Sequence, residues 1–107
     1  MIGWLKGQIL SLDAEALILD VQGVGYEVVM SSIALADLSY SGKKEIQLWI
    51  YTHVREDQLQ LFGFPSPLEK NFFLTLLKVN GVGPKLAMNI LSGAPVAHTM
   101  EFIEAGD

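Results

Sequence analysis

The sequence contains no cysteine, so neither a disulfide framework nor thiolate chemistry is open to it, and a cytosolic protein is the simplest reading. Charge is scarce as well. Charged residues make up 18% of the chain, below the roughly 25% of an average soluble protein. Hydrophobic residues reach 50%, and part of that surplus is expected to face another subunit or a missing segment rather than water. No apolar run approaches the ~20 residues needed to cross a bilayer. Met1-Ile2-Gly3-Trp4-Leu5-Lys6 lacks the layout of a signal peptide and reads as the start of a strand. The two histidines, His53 and His98, are far apart and have no partners at metal-ligand spacing, so both read as structural or exposed. A net charge of −5 argues against a uniformly basic nucleic-acid binder. The distribution is uneven, however. Lys70 to Met100 carries three lysines, Lys70, Lys78 and Lys85, and no acid, while acids gather earlier and at the tail in Glu101, Glu104 and Asp107. A basic face on an acidic body and three solvated lysines on helix surfaces both fit that pattern.

What the chain does have is Leu77-Lys78-Val79-Asn80-Gly81-Val82-Gly83-Pro84-Lys85-Leu86-Ala87, flanked on both sides by apolar helical patterns. Gly81 suits the positive φ that closes a helix, and Gly83 lets the backbone turn without a Cβ clash. Pro84 fits the first turn of a following helix, where a missing N–H costs nothing. The spacing predicts a helix, a tight hairpin and a second helix, with unpaired backbone N–H groups beside Lys85 at a positive dipole end. Such a site suits a phosphate. The segment looks like a helix-hairpin-helix, a clamp for the DNA backbone that ignores sequence; the bland reading is one helix end followed by one helix start. It is not a nucleotide-hydrolysing phosphate loop, because the GxxxxGK[ST] spacing is absent.

Before this stretch the pattern is that of strands. Ile2 to Leu12, interrupted by Gly3 and Gly7, reads as a strand bending at a glycine-marked bulge or barrel corner. Ala16–Val21 and Tyr26–Met30 read as strands joined by a Gln22-Gly23-Val24-Gly25 turn. The Gly23-Val24-Gly25 start of a dinucleotide fingerprint is rejected, since the third glycine and the helix are both missing. Ser31-Ser32 caps a short helix through Leu38. Ile46, Leu48 and Ile50 alternate with Gln47, Trp49 and Tyr51 in a fourth strand. His53 to Asp57 is a polar turn, and Leu59, Leu61 and Phe62 belong to a fifth strand ending at Phe64 and Pro65. Three strands, a short helix and two strands make the order of an OB-type Greek-key barrel. At Ser66-Pro67-Leu68-Glu69, a capping box with proline at the first helical position, the period changes. Leu68, Phe72, Phe73, Leu76 and Leu77 form one helical stripe. The expected division is a β domain over 1–64 and a helical domain over 65–107. In the latter the second helix stops at Ser92-Gly93, and a third pattern, Val96, Met100 and Ile103, runs to the end.

Taken together, the chain resembles the amino-terminal part of the RuvA family, Holliday-junction-binding proteins of bacterial branch migration. The resemblance is carried by Met1-Ile2-Gly3, Gly23-Val24-Gly25-Tyr26-Glu27-Val28, Val54-Arg55-Glu56-Asp57-Gln58-Leu59, Leu61-Phe62-Gly63-Phe64 and Asn80-Gly81-Val82-Gly83-Pro84-Lys85-Leu86-Ala87. It implies an OB barrel followed by a domain with two helix-hairpin-helix motifs, of which the first maps onto Asn80, Gly81, Val82, Gly83, Pro84 and Lys85. It also implies an acidic pin at Glu56 and Asp57, whose four copies in a tetramer repel phosphates near the crossover and keep the junction open. Arg55 then either contacts phosphate beside the pin or screens its acidic neighbours. Trp4 stands where many members carry a basic residue, which puts any DNA contact there in doubt. The implied partners are four-way junction DNA, three further copies of the chain, a ring ATPase motor and a junction resolvase, with no membrane and no cofactor. A second hairpin and the motor-contacting domain are expected after Asp107, so the chain is expected to be the front of a longer protein.

On the residues alone, Glu56 and Asp57 are two acids at an exposed hairpin tip, and metal-assisted cleavage there lacks the further ligands it needs. The expected role is therefore a non-catalytic, structure-specific DNA-binding scaffold, with nucleotide hydrolysis done by a separate protein. One rival is a single-strand binder stacking bases on Trp49 and Tyr51, which would prefer oligonucleotides to junctions. Another is a helix-hairpin-helix glycosylase, which needs a catalytic lysine or aspartate beyond the hairpin where only Asp107 stands. A third is an assembly module whose DNA contacts lie elsewhere, in which Lys85→Ala would leave DNA affinity untouched.

Overall fold

The computed structural model describes residues 1–93. β1 (Trp4–Leu12), β2 (Ala16–Val21) and β3 (Val24–Val29) lead to α1 (Ser32–Ser41). Then come β4 (Glu45–Val54), β5 (Leu59–Phe64), α2 (Pro67–Leu77) and α3 (Pro84–Gly93). The strands close into a barrel in the order β1-β2-β3-β5-β4. Antiparallel ladders join β1 to β2 and β4, β2 to β3, and β4 to β5, and a short parallel contact of Val28 with Leu61 and Val29 with Phe62 completes the ring. This is the OB-type barrel that the order of elements predicts. The third helical pattern and His98 lie outside the described residues.

Alternation along each strand sends one face inward. Leu5, Leu17, Leu19, Val28, Leu48, Ile50 and Leu61 fill the barrel, and Ala34 and Leu35 of α1 join the same core. The cap of α1 is Ser31, which is buried and accepts the N–H of Ala34 at 3.1 Å. The other buried polar side chain among the described residues is Thr52. Its hydroxyl accepts from the Ile2 N–H at 3.0 Å and donates to the Ile2 carbonyl at 2.6 Å, holding the chain start against β4.

Four local expectations need correction. β3 begins at Val24, because the turn takes only Gln22 and Gly23, whose φ of 54° and 89° suit a two-residue turn matching the twist of its strands. α1 continues three residues past Leu38 to Ser41, ending at the left-handed Gly42. The bulge of β1 falls between Ile9 and Ser11, at Leu10, and not at a glycine. Gly7 serves a different need: a Cβ there would lie 2.2 Å from the Asp20 carbonyl oxygen on β2. Leu68, assigned to the buried stripe of α2, is exposed, since among the described residues no element covers it.

A second core joins the barrel to the helices. Phe62 and Phe64 project from the outer face of β5 and pack with Phe72, Phe73 and Leu76 of α2 and Ala87, Met88 and Leu91 of α3. Phe73 is its centre, fully buried, with ring centroids 4.9 Å from Phe64, 5.5 Å from Tyr51 and 5.6 Å from Phe62. α2 starts where the capping box predicts, with half of the box formed. The Ser66 hydroxyl accepts the N–H of Glu69 at 3.3 Å and Pro67 lies in the first turn, while among the described residues the Glu69 carboxyl makes no return bond to Ser66 N–H.

Glu69 faces a groove between the helices that Asp37 and Lys43 also line. Burial, and secondarily the charge of Asp37, raise its carboxyl above the ordinary glutamate range. The folded state therefore binds the proton more tightly than the unfolded chain does. Its contribution to stability is fully present at acid pH and is lost as pH rises through the raised value. Thermal unfolding from pH 4 to 7 checks this: the midpoint of the parent, measured relative to Glu69→Gln, should climb as the pH falls. For the second core, Phe73→Ala should lower the unfolding free energy by about 3–5 kcal/mol in denaturant titration, enough to leave the protein marginal.

Candidate nucleic-acid interface

The connection between α2 and α3 is built from leftover helix-end hydrogen bonds. At the end of α2, Lys78 N–H donates to the Thr75 carbonyl at 3.1 Å and Val79 N–H to the Leu76 carbonyl at 3.0 Å, tightening the last turn. Val82 N–H then donates to the Val79 carbonyl at 3.1 Å around Gly81, whose φ is +87°. That is the signature of a type II turn, which requires positive φ at its third residue. Val82 packs into the second core and anchors the tip from beneath.

Gly83 accepts the first hydrogen bond of α3, from Ala87 N–H at 2.9 Å, and Pro84 opens the helix. Among the described residues nothing accepts from the backbone N–H groups of Gly83, Lys85 and Leu86. Three donors at a positive helix end, with the exposed Lys85 among them, form a site of anion-binding chemistry. Gly83 is informative in another way. Its φ is not positive and no atom lies within 4 Å of where a Cβ would stand. Among the described residues nothing requires a glycine there, and the open space adjoins the N–H of Gly83 itself.

Glu56 and Asp57 occupy the tip of the β4–β5 hairpin, closed by Arg55 N–H donating to the Gln58 carbonyl at 2.8 Å. Both acids are exposed. The only ion pair among the described residues is Lys6 with Glu45, at 4.0 Å and well exposed, so Arg55 does not neutralise the tip. Its Nε instead donates to His53 Nε2 at 2.9 Å, which requires a neutral His53 ring. His53 in turn stacks on Tyr51, with centroids 6.1 Å apart. Tyr51 is thus half-buried between His53, Phe62 and Phe73 rather than free as a stacking platform.

The fold brings Arg55 and Lys85, thirty residues apart in sequence, to one cleft of about 710 Å³ between the barrel and α3. Gln58 and Gln60 stand on the barrel side, Asn89 on α3, and Glu15 and Glu27 also line it. The tip acids do not line it. Gln60 and Asn89 belong to no recognisable motif, Gln58 belongs to the block around the acidic tip, and the meeting of the barrel with α3 brings the three together. Among the described residues no three histidine, aspartate or glutamate side chains lie close enough together to hold a metal ion, and no helix is long and apolar enough to cross a membrane.

Two family models match the chain: the RuvA N terminal domain over residues 1–63, and the SAM-like helix-hairpin-helix tandem over residues 73–105. Among curated relatives, proteins named Holliday junction branch migration complex subunit RuvA align with all of it. That of Bdellovibrio bacteriovorus is 55% identical, and those of Acinetobacter baumannii and Pelobacter propionicus are each 46% identical. The chain spans about half the length of these relatives, 55% of the first and 53% of the other two. A closed five-stranded barrel, a helix-hairpin-helix behind it and identity along the whole chain agree: this protein belongs to the RuvA family.

Proposed function

We propose that the chain is the junction-holding part of a branch-migration scaffold, a non-catalytic subunit that binds four-way DNA. The observation that carries this is the trio of unpaired N–H groups at Gly83, Lys85 and Leu86 next to an empty Cβ position. A phosphodiester needs room to approach backbone donors, and among the described residues no side chain fills that room. Asn80 to Lys85 would clamp a duplex arm through its phosphates, giving affinity without sequence preference. Glu56 and Asp57, unneutralised at their tip, would repel phosphates and steer strands apart where arms meet. Arg55 would take a phosphate from the cleft side.

The relatives' names support membership in a branch migration complex. The assembly we propose around it is a tetramer, with a separate ring ATPase driving migration, a junction resolvase as a further partner, and a cytoplasmic setting. A single-strand binder fits less well, because Tyr51 is packed against Phe73.

A low-salt gel shift of a synthetic four-way junction against linear duplex of equal length tests the reading, with assembly followed by light scattering. The expected result is junction preference, reduced by Glu56→Ala/Asp57→Ala. An assembled protein that treats both DNAs alike overturns it. Lys85→Ala should weaken both DNAs and reduce the slope of log affinity against log salt by about 1 per hairpin engaged. Gly83→Ala should leave the thermal midpoint unchanged or slightly raised while weakening DNA binding, since among the described residues the added methyl meets no atom within 4 Å.

A further inference from the structure

α3 is held to the barrel domain by one hydrogen bond among the described residues. Ser32 N–H, at the start of α1, donates to Ser92 Oγ at 2.9 Å. The Ser92 hydroxyl donates in turn to the Met88 carbonyl one turn back, at 3.0 Å. Its proton is thereby committed to α3 and its lone pairs turn outward to α1. Ser92 thus satisfies one of the orphan first-turn donors of α1, whose own cap, Ser31, serves Ala34.

The place of this clasp gives it a consequence. Ser32, Met88 and Ser92 line the same cleft as Arg55 and Lys85. One wall carries the base of the acidic tip, and the other begins at Pro84, where the hairpin delivers its donors. α2 is bound to β5 by the aromatic core, which Ala87, Met88 and Leu91 of α3 also join, and the far end of α3 has in addition its hydrogen bond to α1. Ser92 lies eight residues beyond Pro84, roughly 12 Å along a rigid helix. Fixing that far end fixes the direction in which the hairpin points.

We propose that Ser92 is a positioning residue that sets the separation of the hairpin from the Glu56–Asp57 tip, and so tunes discrimination between junction and duplex, a role that rests on the junction-holding reading above. A linear duplex has no crossover to meet the acidic tip and is indifferent to that separation. A junction arm must meet hairpin and tip together and is sensitive to it. Ser32 is exposed, so water replaces the lost bond in Ser92→Ala, and the clasp contributes more to geometry than to stability.

The absence of cysteine allows a direct test. Spin labels at Leu59→Cys on β5 and Leu86→Cys on α3, both exposed positions outside the cleft, report the separation by pulsed dipolar spectroscopy. A narrow distance distribution in the parent should broaden in Ser92→Ala and narrow again in Ser92→Thr, which keeps the hydroxyl. In unlabelled protein, Ser92→Ala should lower the junction-to-duplex affinity ratio about fivefold, the scale of one hydrogen bond, with duplex affinity and thermal midpoint nearly unchanged. An unaltered distance distribution, or a fall in midpoint with the ratio intact, overturns the proposal. If the parent shows no junction preference, the junction-holding reading fails, and the label distances still decide whether Ser92 sets the separation.

Discussion

Everything beyond the barrel depends on the outer face of β5 being buried. A strand of a small closed barrel ordinarily shows that face to water, but Phe62 and Phe64 occupy it and are 3% and 1% exposed. They are covered by Phe72, Phe73 and Leu76 of α2. The inner face of the same strand supplies Leu61 to the barrel core. β5 is therefore shared between two cores, and the helices cannot leave without exposing two phenylalanines. The clustering of Tyr51, Phe62, Phe64 and Phe73 around one centre adds aromatic contact geometry to the area buried.

That shared strand also explains how an acidic, charge-poor chain presents a cluster of backbone donors suited to an anion. Charge is not the main device. The donors at Gly83, Lys85 and Leu86 are backbone groups left over because a helix cannot satisfy its own first turn. Lys85 adds one full charge beside them. Such a site has a fixed direction, and it is useful only if the helix bearing it is held. α2 packs on β5, α3 packs on α2 through Ala87, Met88 and Leu91, and Ser92 ties α3 to α1. The acidic tip belongs to the hairpin that ends in β5, so both charged features are referred to one strand.

Parts of this were legible in the residues. Alternation at Ile46, Leu48 and Ile50, the Ser66-Pro67 start of α2 and the Gly81–Pro84 connection each follow from a local rule of period, cap or turn. The misses share a cause. Leu68 and Phe72 obey the same helical spacing, yet among the described residues neighbours cover Phe72 and leave Leu68 exposed. Gly7 looked like a bulge marker, but it answers to the Asp20 carbonyl on the adjacent strand. The bond from Arg55 Nε to His53 is likewise not foreseeable from the residues.

By itself the sequence determined which segments form strands and helices, where the hairpin turns, and which backbone donors are left unpaired, because those properties depend on residues within a few positions of one another. Tertiary structure alone decided that Arg55 and Lys85 share a cleft, that Gln58, Gln60 and Asn89 line it, and that Ser92 reaches Ser32 sixty residues away. No local pattern encodes those meetings. They arise from how two cores divide a single strand, a matter of packing between elements rather than of preference within them.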